Sequence, residues 1–470
     1  MKKIIIAAVI ACAAFSCTND FEEINTNNNE PIEATPDYLL PTVIFNLADF
    51  SVNNSYGFGD IISQYAANYE YNDLDIYRWN SNGSFWGIYD YLQDLKEIED
   101  YAIENDMPNY QAAALILEAY SFSLITDAYG DVPYTEANMA ETGNITPKYD
   151  TQKTIYNGIL DKLEKANALI VTGESINGDI LYGGNMNKWK KLANSLRLRL
   201  LLRLSNVQDV SSEMNEIVTN AATYPVFEST GDDAIYSYSG SMPDLSPYSI
   251  GRSRPYGYFI AMPTSHLVDA LKENNDPRLV EWVDLKMNDN GSFEYKGVDP
   301  GQTLGDIGRP ADFSSRDSSY LNNPAKIKAI FLTYSEVNFI LAEAAEKNLI
   351  SGSAEDYYNK AVEASFTQWG LAMPADFLTN TVSYDANDQE QFYTQKWLAL
   401  YHTLGEAWSD WRRTGMPSFI QAGSGNINND KVPVRIMYPS LEQSVNGSNY
   451  TEASQRMGGD NINSPVWWDK

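Results

Sequence analysis

The sequence predicts a mostly α-helical protein in which about four helical hairpins form a scaffold and an irregular second lobe is built from loops and short strands. Three observations carry this expectation. Apolar residues recur at helical spacing over long stretches on both sides of the middle of the chain. Between them, residues 224–324 lose that period and fill with Gly, Pro, Ser, Asn and Tyr. Turn residues divide the periodic stretches into pairs of helix length.

In chain order, Asp37 to Phe50 has helical spacing that Pro41 should break early, and Tyr56 to Tyr69 is a second helical candidate. From Ser84 to Ile103, Trp86, Tyr89, Leu92, Leu95, Ile98 and Tyr101 define one amphipathic face, which makes Trp86 a helix core residue. Met107-Pro108-Asn109 turns into Tyr110 to Tyr129, apolar enough to be buried on most sides, and Gly130-Asp131-Val132-Pro133 stops it. A second pair spans Thr151 to Ile170 and Asn187 to Leu204. After the irregular stretch, where one helix is expected at Ser265 to Lys272, come Leu332 to Lys347 with Ala354 to Trp369, and Gln389 to Leu404 with Glu406 to Thr414. Hairpins of this size, without a strict repeat signature, fit a divergent tetratricopeptide-like solenoid.

The N-terminus reads as a targeting segment. Lys2 and Lys3 precede an apolar run from Ile4 to Phe15, too short to span a bilayer, and Ala14-Phe15-Ser16-Cys17 places small residues before a cysteine. Residues 1–16 are therefore expected to be a lipoprotein signal peptide, Cys17 the acylated first residue, 17–35 a polar tether, and 36–470 a single domain with its irregular lobe at 224–324. The other cysteine, Cys12, lies in the leader, so no disulfide is expected.

With 33 basic and 63 acidic residues the formal charge is −30, which argues against nucleic acid and against an anionic membrane face; the lipid anchor is the only membrane contact expected. Neutral or cationic ligands fit better. The chain holds 32 Tyr and 10 Trp, mostly for packing, with some rings free to stack on the apolar faces of sugars.

Catalytic and metal motifs are sparse. Glu336 and Glu343 share a helix face and, with Glu346 nearby, two of the three could act as a general acid and base, but Glu343 sits in an apolar stripe where a buried carboxylate should pair with one of Arg197, Arg199, Arg203, Arg412 or Arg413. Trp397, Leu400, Leu404, Trp408 and Trp411 form a packing stripe first and a sugar platform second. His266 and His402 lack zinc spacing, so neither a metal site nor a cofactor is expected. Calcium stays open at the oxygen-rich loops Asn288-Asp289-Asn290-Gly291 and Asn428-Asn429-Asp430, each of which also reads as a plain turn. No phosphate loop or nucleophile elbow occurs.

Several ordered segments carry a resemblance. They are Ala112 to Ala137 (AAALILEAYSFSLITDAYGDVPYTEA), Lys188 to Arg203 (KWKKLANSLRLRLLLR), Asp276-Pro277-Arg278-Leu279, Tyr334 to Ala345 (YSEVNFILAEAA), Gln395 to Pro417 (QKWLALYHTLGEAWSDWRRTGMP) and the closing Trp467-Trp468-Asp469. In this order the set resembles the SusD/RagB family of outer-membrane nutrient-binding lipoproteins. The resemblance implies tetratricopeptide-like helix pairs plus a less regular lobe. It also implies a lid on a SusC-like, TonB-dependent transporter and a cell-surface location on the outer membrane. The acidic stretch after Cys17 resembles the surface-export signal of this group.

The ligand is expected at two segments. Tyr77, Arg78, Trp79, Asn80 and Asn82 combine rings, amides and a guanidinium before a helix, as sugar recognition requires, and the resemblance implies that this loop contributes contacts, Trp79 and Asn80 foremost. In the irregular lobe, Tyr248, Arg252, Arg254 and Tyr256 form the second set, with Tyr236, Tyr238 and Tyr258 nearby. The sequence thus points to a non-enzymatic receptor that captures an oligosaccharide, or another nutrient, for the transporter. A peptide-binding relative of the same fold and a helical-barrel glycoside hydrolase remain the alternatives.

Overall fold

The computed structural model describes residues 34–80, 85–249, 252, 255–323 and 326–469, with the side chains of 255–257 left out. The expected leader, Cys17 and most of the tether lie outside the described residues.

The first helix, α1 (Pro36–Asn54), begins with proline at its first position, where the missing N–H costs no hydrogen bond. Contrary to expectation it runs straight through Pro41. Only the bond to the Asp37 carbonyl is forfeited, and Gly178 packs there so closely that an added Cβ would stand 2.3 Å from that oxygen. The helix expected at 56–69 is replaced by a π-helical turn (Ser55–Gly59), one short helical turn (Asp60–Ile62) and the strand β1 (Ala66–Asn68). Gly57 and Gly59 weaken helix there, and a Cβ on Gly59 would fall 2.9 Å from the Gly405 backbone nitrogen.

Three of the four expected hairpins form. α2 (Ile88–Glu104) packs on α3 (Pro108–Tyr129), and α3 packs in turn on α4 (Gln152–Leu169). α3 is buried on nearly every side, and Gly130, at φ +85°, ends it. Between α3 and α4 lies the two-stranded ribbon of β2 (Val132–Pro133) and β3 (Tyr149–Asp150). The Thr151 hydroxyl caps α4, accepting from the Thr154 backbone N–H, and the Asn185 side chain caps α5 (Met186–Leu204). α6 (Ser211–Thr219) follows.

The irregular lobe is tied to the scaffold by strand pairing. β4 (Ala234–Ser237) pairs with β8 (Lys328–Leu332), and β5 (Ala261–Pro263) with β1, all antiparallel. The expected helix appears as α7 (Ser265–Glu273), and β6 (Lys286–Met287) and β7 (Phe293–Glu294) form a hairpin around Asn288–Gly291.

α8 (Tyr334–Glu346) and α9 (Ala354–Gln368) make the third hairpin, capped by Thr333 and Ser353. The fourth opens out. α10 (Gln389–Ala399) packs on α8 and α9, whereas α11 (Glu406–Thr414) turns toward the Ser55–Gly59 turn and the C-terminal Trp467–Asp469. The link between them bends through left-handed His402 and Gly405. The final helix, α12 (Gly447–Arg456), lies against β3.

Candidate functional site

The sequence-predicted loop is held by neighbours remote in the chain. The Asn68 backbone N–H and side-chain amide donate to the Asp75 carboxylate at 2.9 and 2.8 Å. The Asn72 amide donates to the Gln302 carbonyl at 2.7 Å, and the Ile427 N–H donates to the Ile76 carbonyl at 3.0 Å. Residues 301–303 and 423–427 thus close against 69–80, helped by Gly423, where a Cβ would meet the Pro300 carbonyl at 2.2 Å. Burial raises the Asp75 carboxyl to about 7, and the Asn68 hydrogen bonds oppose that rise.

Within this loop the predicted residues divide. Tyr77 is buried at φ +63°, its phenol pushed up to about 12 by burial. Trp79 is half-buried: its indole N–H donates to the Leu74 carbonyl at 2.9 Å, and its ring lies 5.5 Å from Phe58 and 6.2 Å from Trp408. Arg78 and Asn80 are exposed, Arg78 paired with Asp73 at 2.8 Å. Asn82 lies outside the described residues. Tyr71, at 76 % exposed, is the free ring of the loop; Ile427 of the apposed segment 423–427 and Leu304, next to 301–303, are also exposed. Sequence reasoning missed Tyr71 because it stands between Glu70 and Asn72, outside the segment of densest rings and amides.

Tyr248 and Arg252 of the lobe face elsewhere. Tyr248 is buried beside Tyr56, ring centroids 5.2 Å apart, and Arg252 pairs with Asp49 of α1 at 2.6 Å and lies 5.8 Å from the Phe45 ring. The Tyr238 hydroxyl donates to the same Asp49 and the Tyr236 hydroxyl to Asp244. This aromatic set therefore packs the lobe onto α1. Arg254 lies outside the described residues; Tyr256 falls in the short helix Pro255–Ile260.

Of the carboxylates that a hydrolase reading would use, Glu336 and Glu343 are sealed, whereas Glu346 is half-buried and accepts from the Gln389 amide. Glu343 accepts from Arg413 at 2.5 and 2.7 Å, from Lys396 at 2.9 Å and pairs with Lys347 at 2.8 Å, so these cations hold its carboxyl well below the usual range despite burial. Glu336 accepts from Arg199 at 2.5 and 2.7 Å, and desolvation raises it. Arg203 bridges Asp127 and Glu406. The expected pairing of Glu343 with an arginine is what forms, and the Trp397–Trp408 stripe is core: Trp397 donates to the Ser63 carbonyl and Trp408 to the Pro433 carbonyl.

His402 is buried and its Nδ1 lies 2.8 Å from Asp60, while His266 packs on Phe419. Among the described residues no three His, Cys, Asp or Glu side chains cluster as metal ligands. In the Asn288–Gly291 turn the Asn290 side-chain oxygen takes the Ser292 N–H and hydroxyl, and in the other loop the Asn426 oxygen takes two backbone N–H groups. Both behave as turns.

Paired helices that present a loop-built surface joined to an irregular lobe define a mostly helical scaffold. The chain belongs to the SusD-like family described as "Starch-binding associating with outer membrane", matched over residues 27–439. A SusD homolog from Bacteroides fragilis is 28 % identical, with a TM-score of 0.82 over 93 % of this chain and 100 % of its own. A second B. fragilis SusD homolog is 26 % identical at TM-score 0.81, covering 93 % and 100 %. A structure named as a chitin-binding protein is 29 % identical at TM-score 0.78, covering 91 % and 99 %. No curated protein matches the chain. The family is one associated with the outer membrane, and no described helix is long and apolar enough to cross a membrane.

Proposed function

We propose that this protein is a lipid-anchored receptor on the cell surface that captures an oligosaccharide and delivers it to a SusC-like, TonB-dependent transporter, without cleaving it. The observation that carries the reading is membership of a family described as starch-binding, together with a 29 % identical relative named as chitin-binding. The ligand surface is the loop 69–80 with its two apposed segments. Tyr71 supplies a ring face, Arg78 and Asn80 supply donors, and Trp79 stiffens the loop from beneath. Cys17 carries the anchor. The sealing of Glu336 and Glu343 leaves only Glu346 of the three carboxylates that the hydrolase alternative drew its acid and base from, which supports a binding role.

A glycan and peptide binding screen tests this, run beside an assay for new reducing ends and a co-purification of the transporter with the anchored protein. Binding of a neutral glycan with no release of reducing ends is the expected result. Peptide-only binding would replace the ligand class, and turnover would overturn the receptor reading.

A further inference from the structure

Away from the loop surface, two adjacent clefts of 280 and 170 Å³ open where the 134–147 segment crosses the helical hairpins, and Ala137 and Asn138 line both. Neither includes a residue of 69–80. The larger has Phe122 and Tyr134 on its walls and Glu118, only 6 % exposed, at its floor. The smaller is lined by the rings of Trp86 and Tyr89 with Pro133 and Pro147. Trp86, read from its spacing as a core residue, is only half-buried and lies on this surface.

We propose that the paired cleft is a second saccharide site, separate from the loop surface, that takes a neutral oligosaccharide; the inference rests on the carbohydrate reading above. Size is the first argument. Ligand sites of drug-like size occupy roughly 300–1,000 Å³, a range that neither cleft reaches alone and the two reach together. Charge is the second. The lysines that line the larger cleft are already paired, Lys162 with Glu118 and Lys96 with Asp100, so an anionic ligand would have to break an existing pair, and Glu442 in the smaller accepts from the Tyr149 hydroxyl. Hydroxyls both donate and accept, and can add to such pairs without breaking them. The lining rings suit the apolar faces of pyranoses.

The walls are fixed before any ligand arrives. The Tyr89 hydroxyl donates to the Pro133 carbonyl at 2.6 Å, and the Asn138 amide donates to the Tyr89 carbonyl at 3.1 Å. Little conformational freedom is then lost on binding. An extended peptide is disfavoured, because β2 and β3 are two residues each and offer almost no edge for strand addition.

The test labels the intact protein with 5-fluorotryptophan and follows the Trp79 and Trp86 fluorine signals separately, each assigned by its Trp→Phe variant, while maltoheptaose or chitohexaose is added. Saturable movement of the Trp86 signal is expected, weakened at least tenfold by Ala137→Phe, which fills the divide between the clefts, with the Trp79 response retained. Ile145→Glu, at a rim position 77 % exposed, should weaken the Trp86 response several-fold without touching the core. Movement at Trp79 alone overturns the second site and leaves the receptor reading standing. A Trp86 response unchanged in both variants overturns it as well. Silence at both signals overturns both readings.

Discussion

The α8–α10–α11 junction and the loop 69–80 use the same residue types in opposite settings. At the junction Glu343, Lys396 and Arg413 have side chains no more than 3 % exposed, whereas Asp73 and Arg78 in the loop are 63 % and 56 % exposed. The buried charges have lost water, so each depends on its partners, and removing one strands the others. The exposed pair keeps its hydration and is worth little to stability. The loop's donors are therefore free to exchange water for a ligand, while the junction's are not. Composition alone does not separate a structural charge from a binding one; burial does.

Breaking the junction should give the largest effect. Glu343→Gln leaves Arg413 and Lys396 short of a counter-charge, and urea denaturation should show a loss of about 3–5 kcal/mol. Because the cations depress the Glu343 carboxyl, its stabilising contribution is full above the ordinary carboxylate range and is lost as pH falls from that range through the depressed folded value. The variant should accordingly lose part of the acid sensitivity of the parent. An unchanged denaturation midpoint would show the network to be dispensable.

Trp79→Ala sits between the two regions, since the ring packs on Phe58 and Trp408 and its N–H tethers the loop. We expect a loss of about 2 kcal/mol, below the ~3–5 of a fully buried aromatic, together with weaker glycan binding in titration calorimetry. Full affinity in the folded variant would detach the loop from the ligand.

Asp75 sharpens the contrast through pH. Its folded pKa, raised to about 7, lies above the unfolded value, so the folded state holds the extra proton between the two and stability falls as pH rises across that window. Asp75→Asn should flatten the melting-temperature profile between about pH 4 and 7. A profile as steep as the parent's would remove Asp75 as its source.

The smallest effect on stability belongs to Tyr71→Ala and Arg78→Ala, which should leave the melting temperature unchanged and weaken oligosaccharide binding by about tenfold, as a single ring or donor at a binding centre commonly does. Loss of stability without loss of affinity would reverse the assignment of the two regions.

Much of the fold was legible in the sequence because helical period and capping are local. α3, α5, α8 and α9 lie within a few residues of their expected bounds. The errors came where a distant contact overrode local preference. Gly178 accommodates the carbonyl that Pro41 frees, the Gly59–Gly405 approach draws 55–59 into a π turn, and pairing with β5 makes 66–68 a strand. At the candidate site the sequence singled out a loop without distinguishing which of its rings face water. Tyr77, Trp79 and Tyr71 are alike in composition, and only packing against Phe58, Trp408 and the remote segments 301–303 and 423–427 decides their exposure.

By itself, then, the sequence determined most of the helices, the family and the pairing of buried Glu343 with an arginine, since period, ordered motifs and the cost of an unpaired buried charge act along the chain or by residue type. The tertiary structure alone decided which arginine, which ring and which cleft, because exposure and partnership depend on segments hundreds of residues apart in sequence that meet only when the chain folds.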